Sequence, residues 1–286
     1  MHELATRALY YAQIQLLYAS AVWIAARLLT GLPGTSATAR YWIWVATSAN
    51  FVLPVGALVD TFSAYRLTWA APLQFVGGAA NAVSTSRFAA ILGLVWAMGA
   101  LLMAARLARR IRLERRVFPR TAVPAVDGVL RPRISLPAGI DRLLSPQELD
   151  AVLIHEATHA RRRDNLILLL HEVGLCLLWF HPMVWSTGAR IALYRELSCD
   201  ESVIRRARAG DLVSALAKLA VRGDGLLLQS SSASHVGDRL ALLAGTGRTR
   251  LGRTATAAVA AAFGTLLLGS VLETVAHTAC CFLPHR

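Results

Sequence analysis

The stretch Leu153-Ile154-His155-Glu156-Ala157-Thr158-His159-Ala160-Arg161 contains His-Glu-x-x-His, and no other feature constrains the chain as much. Side chains four positions apart share one face of a helix, so His155 and His159 can point their imidazoles at one zinc ion. Glu156, one step round, can hold a water that zinc has made acidic and take its proton as it attacks a peptide carbonyl. The flanking residues predict a helix here on independent grounds. Ser145-Pro146-Gln147-Glu148 is a capping box with proline at the first helical position. Leu149, Val152, Leu153 and Glu156 follow at helical spacing. Arg161, Arg162 and Arg163 then fall in the last turn, where the helix dipole favours cations. The chain also carries its own contrast, because His171-Glu172 is followed by Leu175 where a second histidine would have to stand.

Composition sets the surroundings of that helix. Hydrophobic residues make up 55% of the 286, charged residues 16%, and the mean hydropathy is +0.48, which argues against an ordinary soluble protein. The net charge of +13 is almost entirely arginine, since Lys218 is the sole lysine. The arginines cluster beside apolar runs. That pattern fits retention on the cytoplasmic side of a membrane, with lipid as a partner and no direct nucleic-acid binding. Cys176, Cys199, Cys280 and Cys281 show neither Cys-x-x-Cys spacing nor a disulfide framework. The adjacent pair Cys280 and Cys281 could oxidise or carry a lipid.

Apolar runs predict four transmembrane helices, at about residues 8–26, 41–59, 88–105 and 254–272. Pro54 and Gly56 are tolerable within the second. The third runs into Arg106, Arg109, Arg110, Arg112, Arg115, Arg116 and Arg120, which places that end in the cytoplasm and, counting back, the N-terminus outside. Residues 61–87 read as an external loop. The expected division is therefore a membrane region over 1–105, a cytoplasmic domain over 106–253, the fourth span, and a short extracellular tail over 273–286.

Within the cytoplasmic part, residues 122–126 and 129–136 read as two strands around the turn Asp127-Gly128, both demoted to edges by Pro124 and Pro132. An edge strand beside such a helix can pair with an extended peptide, although a hairpin that merely covers the helix fits as well. Asp164 reads as the cap of the next helix. Residues 165–185 are apolar. They either cross the membrane or form a helical hairpin turning at His181-Pro182, with Trp179, Phe180 and Trp185 at its tip. The hairpin returns residue 196 to the level of the His155-His159 helix.

A catalytic zinc takes three protein ligands and keeps one position open. Glu196 is the best third ligand, with Cys199, Glu201 and Glu172 as rivals. Asp200, one turn on, can accept a hydrogen bond from a ligand imidazole. His171 and His181 read as interfacial or internally satisfied histidines.

His155-Glu156-x-x-His159 followed by Arg162-Arg163-Asp164, then Trp179-Phe180-His181-Pro182, then Glu196-x-x-Cys199-Asp200, resembles the BlaR/MecR-type integral-membrane metalloprotease family over roughly residues 85–245. The resemblance implies a gluzincin-like fold in which His155, His159 and Glu196 bind zinc and Glu156 is the general base. It also implies a protease segment in the cytoplasm of a multi-pass membrane protein, signalling through cleavage of a small DNA-binding repressor. Antibiotic-sensing members carry a large penicillin-binding domain after the last span. Here only Thr274–Arg286 follow the expected fourth span, and Lys218 has Ala215 rather than serine three residues before it. Covalent β-lactam sensing is therefore not expected.

The expectation is a mainly α membrane protein of about four transmembrane helices with a cytoplasmic α+β zincin-like protease domain. Its activity would be zinc endopeptidase cleavage of a cytoplasmic or juxtamembrane protein. A membrane quality-control protease is the alternative within enzymes. A non-catalytic signal transducer is the alternative outside them, and the intact Glu156 speaks against it, since structural zinc needs no base.

Overall fold

A computed structural model describes residues 16, 19–52, 88–117, 123–222, 236–244 and 261. The order is α1 (Ala19–Gly31), α2 (Ala37–Val52), α3 (Phe88–Val117), β1 (Ala125–Asp127), β2 (Arg133–Ser135) and α4 (Ile140–Leu143). Then come α5 (Pro146–Arg162), α6 (Asp164–Leu177), α7 (Pro182–Ile204), α8 (Ala209–Arg222) and α9 (Val236–Leu243). The protein is mainly α, as expected, and one two-stranded antiparallel sheet is its β component among the described residues.

The 23-residue α7 is the central element. One side of it joins Val22, Ala26, Tyr41, Ile43 and Trp44 of α1 and α2 through Ile191 and Tyr194. Near its end, Val203 joins Val152 and Ile154 of α5 and Leu212, Ala215 and Leu219 of α8. The metal-motif helix is thus clamped between α7 and α8, and α2 lies along the other side of α7.

Helix α5 starts as its sequence dictates. Ser145 Oγ accepts from Glu148 N, and Glu148 Oε2 accepts from Ser145 N at 2.7 Å, with Pro146 in the first turn. Glu148 also accepts from Ser214 and, at 2.7 Å, from the lone lysine, Lys218, so α8 is tied to this cap. The Lys218 ammonium first, then Ser214 and the Ser145 amide, hold the Glu148 carboxyl down at about 2.

At the other end, Arg163 adopts a left-handed conformation with φ 54°, and its N–H returns to Ala160 and His159 carbonyls. A β-carbon is disfavoured there, so the turn is held by its surroundings. It swings Asp164 back against α5 instead of leaving it to cap α6. The expected capping role is therefore corrected: the cap residue is Arg163, with no side-chain cap bond, and Asp164 turns to His159.

The hairpin reading of 165–185 agrees with the described geometry. Helix α6 ends at Leu177, His181 caps α7 and Pro182 opens it. Trp185 Nε1 donates to Trp179 O at 2.8 Å, and Trp179 Nε1 donates to Trp96 O of α3 at 3.2 Å. Gly99 makes this docking feasible, because a β-carbon there would overlap the Trp179 ring.

The β-hairpin departs from expectation. Pairing runs only from Ala125↔Ser135 to Asp127↔Arg133, so the connection is the five residues 128–132 rather than the two-residue turn. Pro132 has no N–H to give a ladder, and pairing can resume only at Arg133.

The expected third span, 88–105, is the start of a continuous 30-residue helix that carries Arg106, Arg109, Arg110 and Arg112. Its stretch Ile91–Leu113 is, among the described residues, the one helix long and apolar enough to cross a membrane. Leu94, Leu101 and Leu102 are exposed on it. The described part of 41–59 lies in helix α2, which buries one face and exposes Trp42, and that of 8–26 is Leu16 and residues 19–26 of α1. Residues 61–87, the 254–272 span apart from Ala261, and Cys280 and Cys281 lie outside the described residues.

Candidate metal centre

Helices α5 and α7 meet where the motif residues lie. His155 Nε2 and His159 Nε2 are 3.2 Å apart. The Glu196 carboxylate faces both, with Oε2 3.6 Å from His155 Nε2 and Oε1 3.8 Å from His159 Nε2. A tetrahedral zinc with N and O ligands has ligand–ligand edges of about 3.3–3.6 Å. The two imidazole nitrogens and the Glu196 carboxylate thus converge at about that spacing, each histidine meeting a different carboxylate oxygen, and two imidazoles with one carboxylate are the donor set of a catalytic zinc. The residues fit the ion that the motif implies.

Each histidine has a carboxylate behind it. Asp164 Oδ2 lies 2.6 Å from His159 Nδ1. Asp200 Oδ1 lies 2.9 Å from His155 Nδ1, within ion-pairing reach though not aligned along the N–H direction. Such carboxylates fix the tautomer and aim of a ligand ring. Burial lowers the His155 pKa, but Asp200 and Glu196 outweigh it and raise it to about 9.

Three buried carboxylates in one place demand compensation, and three arginines supply it. Arg162 donates to Asp164 through Nε at 3.1 Å and Nη2 at 2.6 Å. Arg195 donates to Glu196 Oε1 through Nε at 3.0 Å and Nη2 at 2.8 Å. Arg239 of α9 holds the fully buried Asp200 with Nε–Oδ2 at 2.7 Å and Nη2–Oδ1 at 2.8 Å. Burial pushes the Glu196 pKa up, yet Arg195 and the two histidines bring it well below the carboxylate range. Glu196 is held ionised, as a ligand must be.

Two of the rivals point elsewhere. Glu201 turns away to accept from Thr38 N at 3.0 Å and Thr38 Oγ1 at 2.7 Å, and Glu172 pairs with Arg110 at 2.8 Å. His171 meets Ser48 at 2.8 Å, and His181 lies 3.4 Å from Ser20. Cys199 stays close: its Sγ lies within 4.8 Å of the ligating atoms of His155 and His159. Burial pushes its thiol well above the ordinary range despite Arg162, and Glu196, Asp164 and Asp200 raise it further. Cys199 Sγ already accepts from Arg162 Nη2 at 3.0 Å, a contact it would have to give up, with its proton, to serve as a ligand.

Glu156 follows His155 on α5 and is half-buried, and among the described residues no hydrogen bond or ion pair engages it. The three arginines and Asp164 were not assigned to the site from sequence. The signal for Asp164 was its place directly after the basic end of the motif helix. Arg239 had none, lying 39 residues beyond Asp200.

This geometry defines a candidate metallopeptidase centre, and comparison with known proteins agrees. Residues 116–211, which include every metal-facing side chain above, match the family described as BlaR1 peptidase M56. The chain is 32% identical over 147 residues to the regulatory protein BlaR1 of Bacillus licheniformis, covering 46% of this chain and 24% of that protein. It is 24% identical over 82 residues to the methicillin resistance mecR1 protein of Staphylococcus aureus, covering 29% of this chain and 14% of that protein. The chain thus spans about a quarter of the length of the first relative and less of the second. No solved structure matches the chain. These findings bear out the resemblance to BlaR/MecR-type proteins.

Proposed function

We propose that this chain is a membrane-embedded zinc endopeptidase that cleaves a cytoplasmic or juxtamembrane protein, signalling toward a transcriptional repressor. The observation that carries the reading is the triangle of His155, His159 and ionised Glu196, backed by Asp164 and Asp200. Likeness to BlaR1 and mecR1, described as a regulatory protein and a methicillin resistance protein, favours signalling over membrane quality control. The exposed apolar length of α3, with arginines at its end, supports a membrane setting with the site on the cytoplasmic side.

Zinc held by the three side chains supplies an acidified water and a polarised peptide carbonyl. Glu156 takes the proton of the attacking water and hands it to the leaving amine. Its carboxylate is free for this among the described residues, whereas the other carboxylates of the centre are tied to arginine or histidine. Asp164 holds the His159 imidazole in its metal-facing orientation, and Asp200 lies within ion-pairing reach of His155. The exposed β2 edge next to α5 offers main-chain groups to an extended substrate.

The test is substrate trapping with Glu156→Gln in the full chain in its membrane. The expected result is a captured protein that wild type cleaves and the variant does not. A variant that cleaves as fast as wild type contradicts the reading.

A further inference from the structure

The peptidase likeness covers residues 116–211, but two residues outside it reach the centre. Tyr41 of α2 is wholly buried, and its hydroxyl donates to Asp164 Oδ1 at 2.7 Å. The same ring lies under the Arg162 guanidinium, 4.4 Å from its centroid. Arg239 of α9 is nearly buried and grips both oxygens of Asp200, while its Nη1 lies 3.6 Å from Glu196 Oε2. The carboxylate behind each metal-facing histidine is therefore contacted by a helix from outside the matched segment.

We propose that Tyr41 and Arg239 are positioning residues of the metal centre, so that α2 and α9 are parts of the site rather than its packing. The proposal rests on the metallopeptidase reading above. Asp164 accepts from Tyr41, His159 and Arg162 at once, and removing the Tyr41 hydroxyl leaves Oδ1 with Arg162 alone. Asp164 then keeps the Arg162 fork but loses its third donor, so the carboxylate is held less firmly against His159. Asp200 depends on Arg239 in the same manner, because a lone carboxylate beside His155 with no guanidinium fork has no fixed plane. Outer partners of this kind typically change metal affinity by about 10–100-fold. Helix α2 is also held to α7 by Thr38 on Glu201, and its residues from Tyr41 onward fall in the expected 41–59 span. Displacement of α2 thus reaches Asp164 through the Tyr41 hydroxyl and Arg162 through its ring.

The experiment measures Zn2+ affinity by chelator competition, and the visible spectrum with Co2+, on the full chain in detergent. The proteins are wild type, Tyr41→Phe, Arg239→Lys and Arg239→Gln. Tyr41→Phe keeps the ring and the packing, so it also guards against a variant that fails to fold. The expected result is about tenfold weaker Zn2+ binding and a shifted Co2+ band for Tyr41→Phe, in a metal-free chain that still unfolds cooperatively. Arg239→Gln should weaken binding more than Arg239→Lys, whose charge rescues part of the loss. Affinities and spectra within twofold of wild type for both Tyr41→Phe and Arg239→Gln overturn this proposal alone. A wild-type chain that takes up no metal overturns both this proposal and the metallopeptidase reading.

Discussion

Asp164 Oδ2 lies 2.6 Å from His159 Nδ1, brought there by a left-handed residue, Arg163, between two helices. A residue placed to cap a helix is instead the brace of a metal-facing imidazole. Asp164→Asn removes the charge but keeps the size. It is expected to weaken zinc binding by about 10–100-fold, read by chelator competition. Unchanged affinity would separate Asp164 from the metal centre.

His155 lies between Asp200 and Glu196, and its raised pKa of about 9 gives the metal-free chain a defined pH response. The folded value lies above the unfolded one, so the stabilisation is complete below about pH 6.5 and is lost as pH rises through about 9. Metal uptake runs the other way, since zinc must displace the His155 proton. Apparent zinc affinity should therefore climb from about pH 6 to about pH 9, with proton release on binding. Calorimetry in buffers of different ionisation enthalpy counts those protons. A pH-independent affinity over that range contradicts the account.

Much of this centre was legible from local rules. The capping box at Ser145, the four-residue spacing of His155 and His159, and the His181-Pro182 turn each depend on neighbours in the chain, and each recurs in the structure. Glu196 was reachable because a hairpin of two helices has a fixed rise per residue. What escaped depends on contacts that no spacing encodes. Tyr41 precedes Asp164 by 123 residues, and Arg239 follows Asp200 by 39. The hairpin at Asp127-Gly128 misled because a favourable turn pair cannot override Pro132, which withholds the N–H that a tight ladder needs. The left-handed Arg163 was equally hidden, since arginine carries no preference for that conformation.

Glu156→Gln should bind zinc with wild-type stoichiometry and lose peptide-bond cleavage, because the ligands survive while the base does not. Metal analysis beside a cleavage assay on the purified chain decides this. Zinc-loaded variant with full cleavage would remove Glu156 from the chemistry.

The arginines after the apolar part of α3 predict the side of the membrane on which the centre lies. A reporter fused after residue 120 should be active only in its cytoplasmic form. Activity of the external form there would overturn the expected topology, and with it a cytoplasmic substrate.

The central claim is that Glu196, and not the neighbouring Cys199, completes the metal site with His155 and His159. Metal content per chain of Glu196→Ala and Cys199→Ala, purified side by side in zinc-containing buffer, tests it most directly. The account predicts close to no zinc in Glu196→Ala. It predicts one zinc in Cys199→Ala, which loses the Arg162 contact and some stability but no ligand. One zinc in Glu196→Ala with none in Cys199→Ala would contradict it.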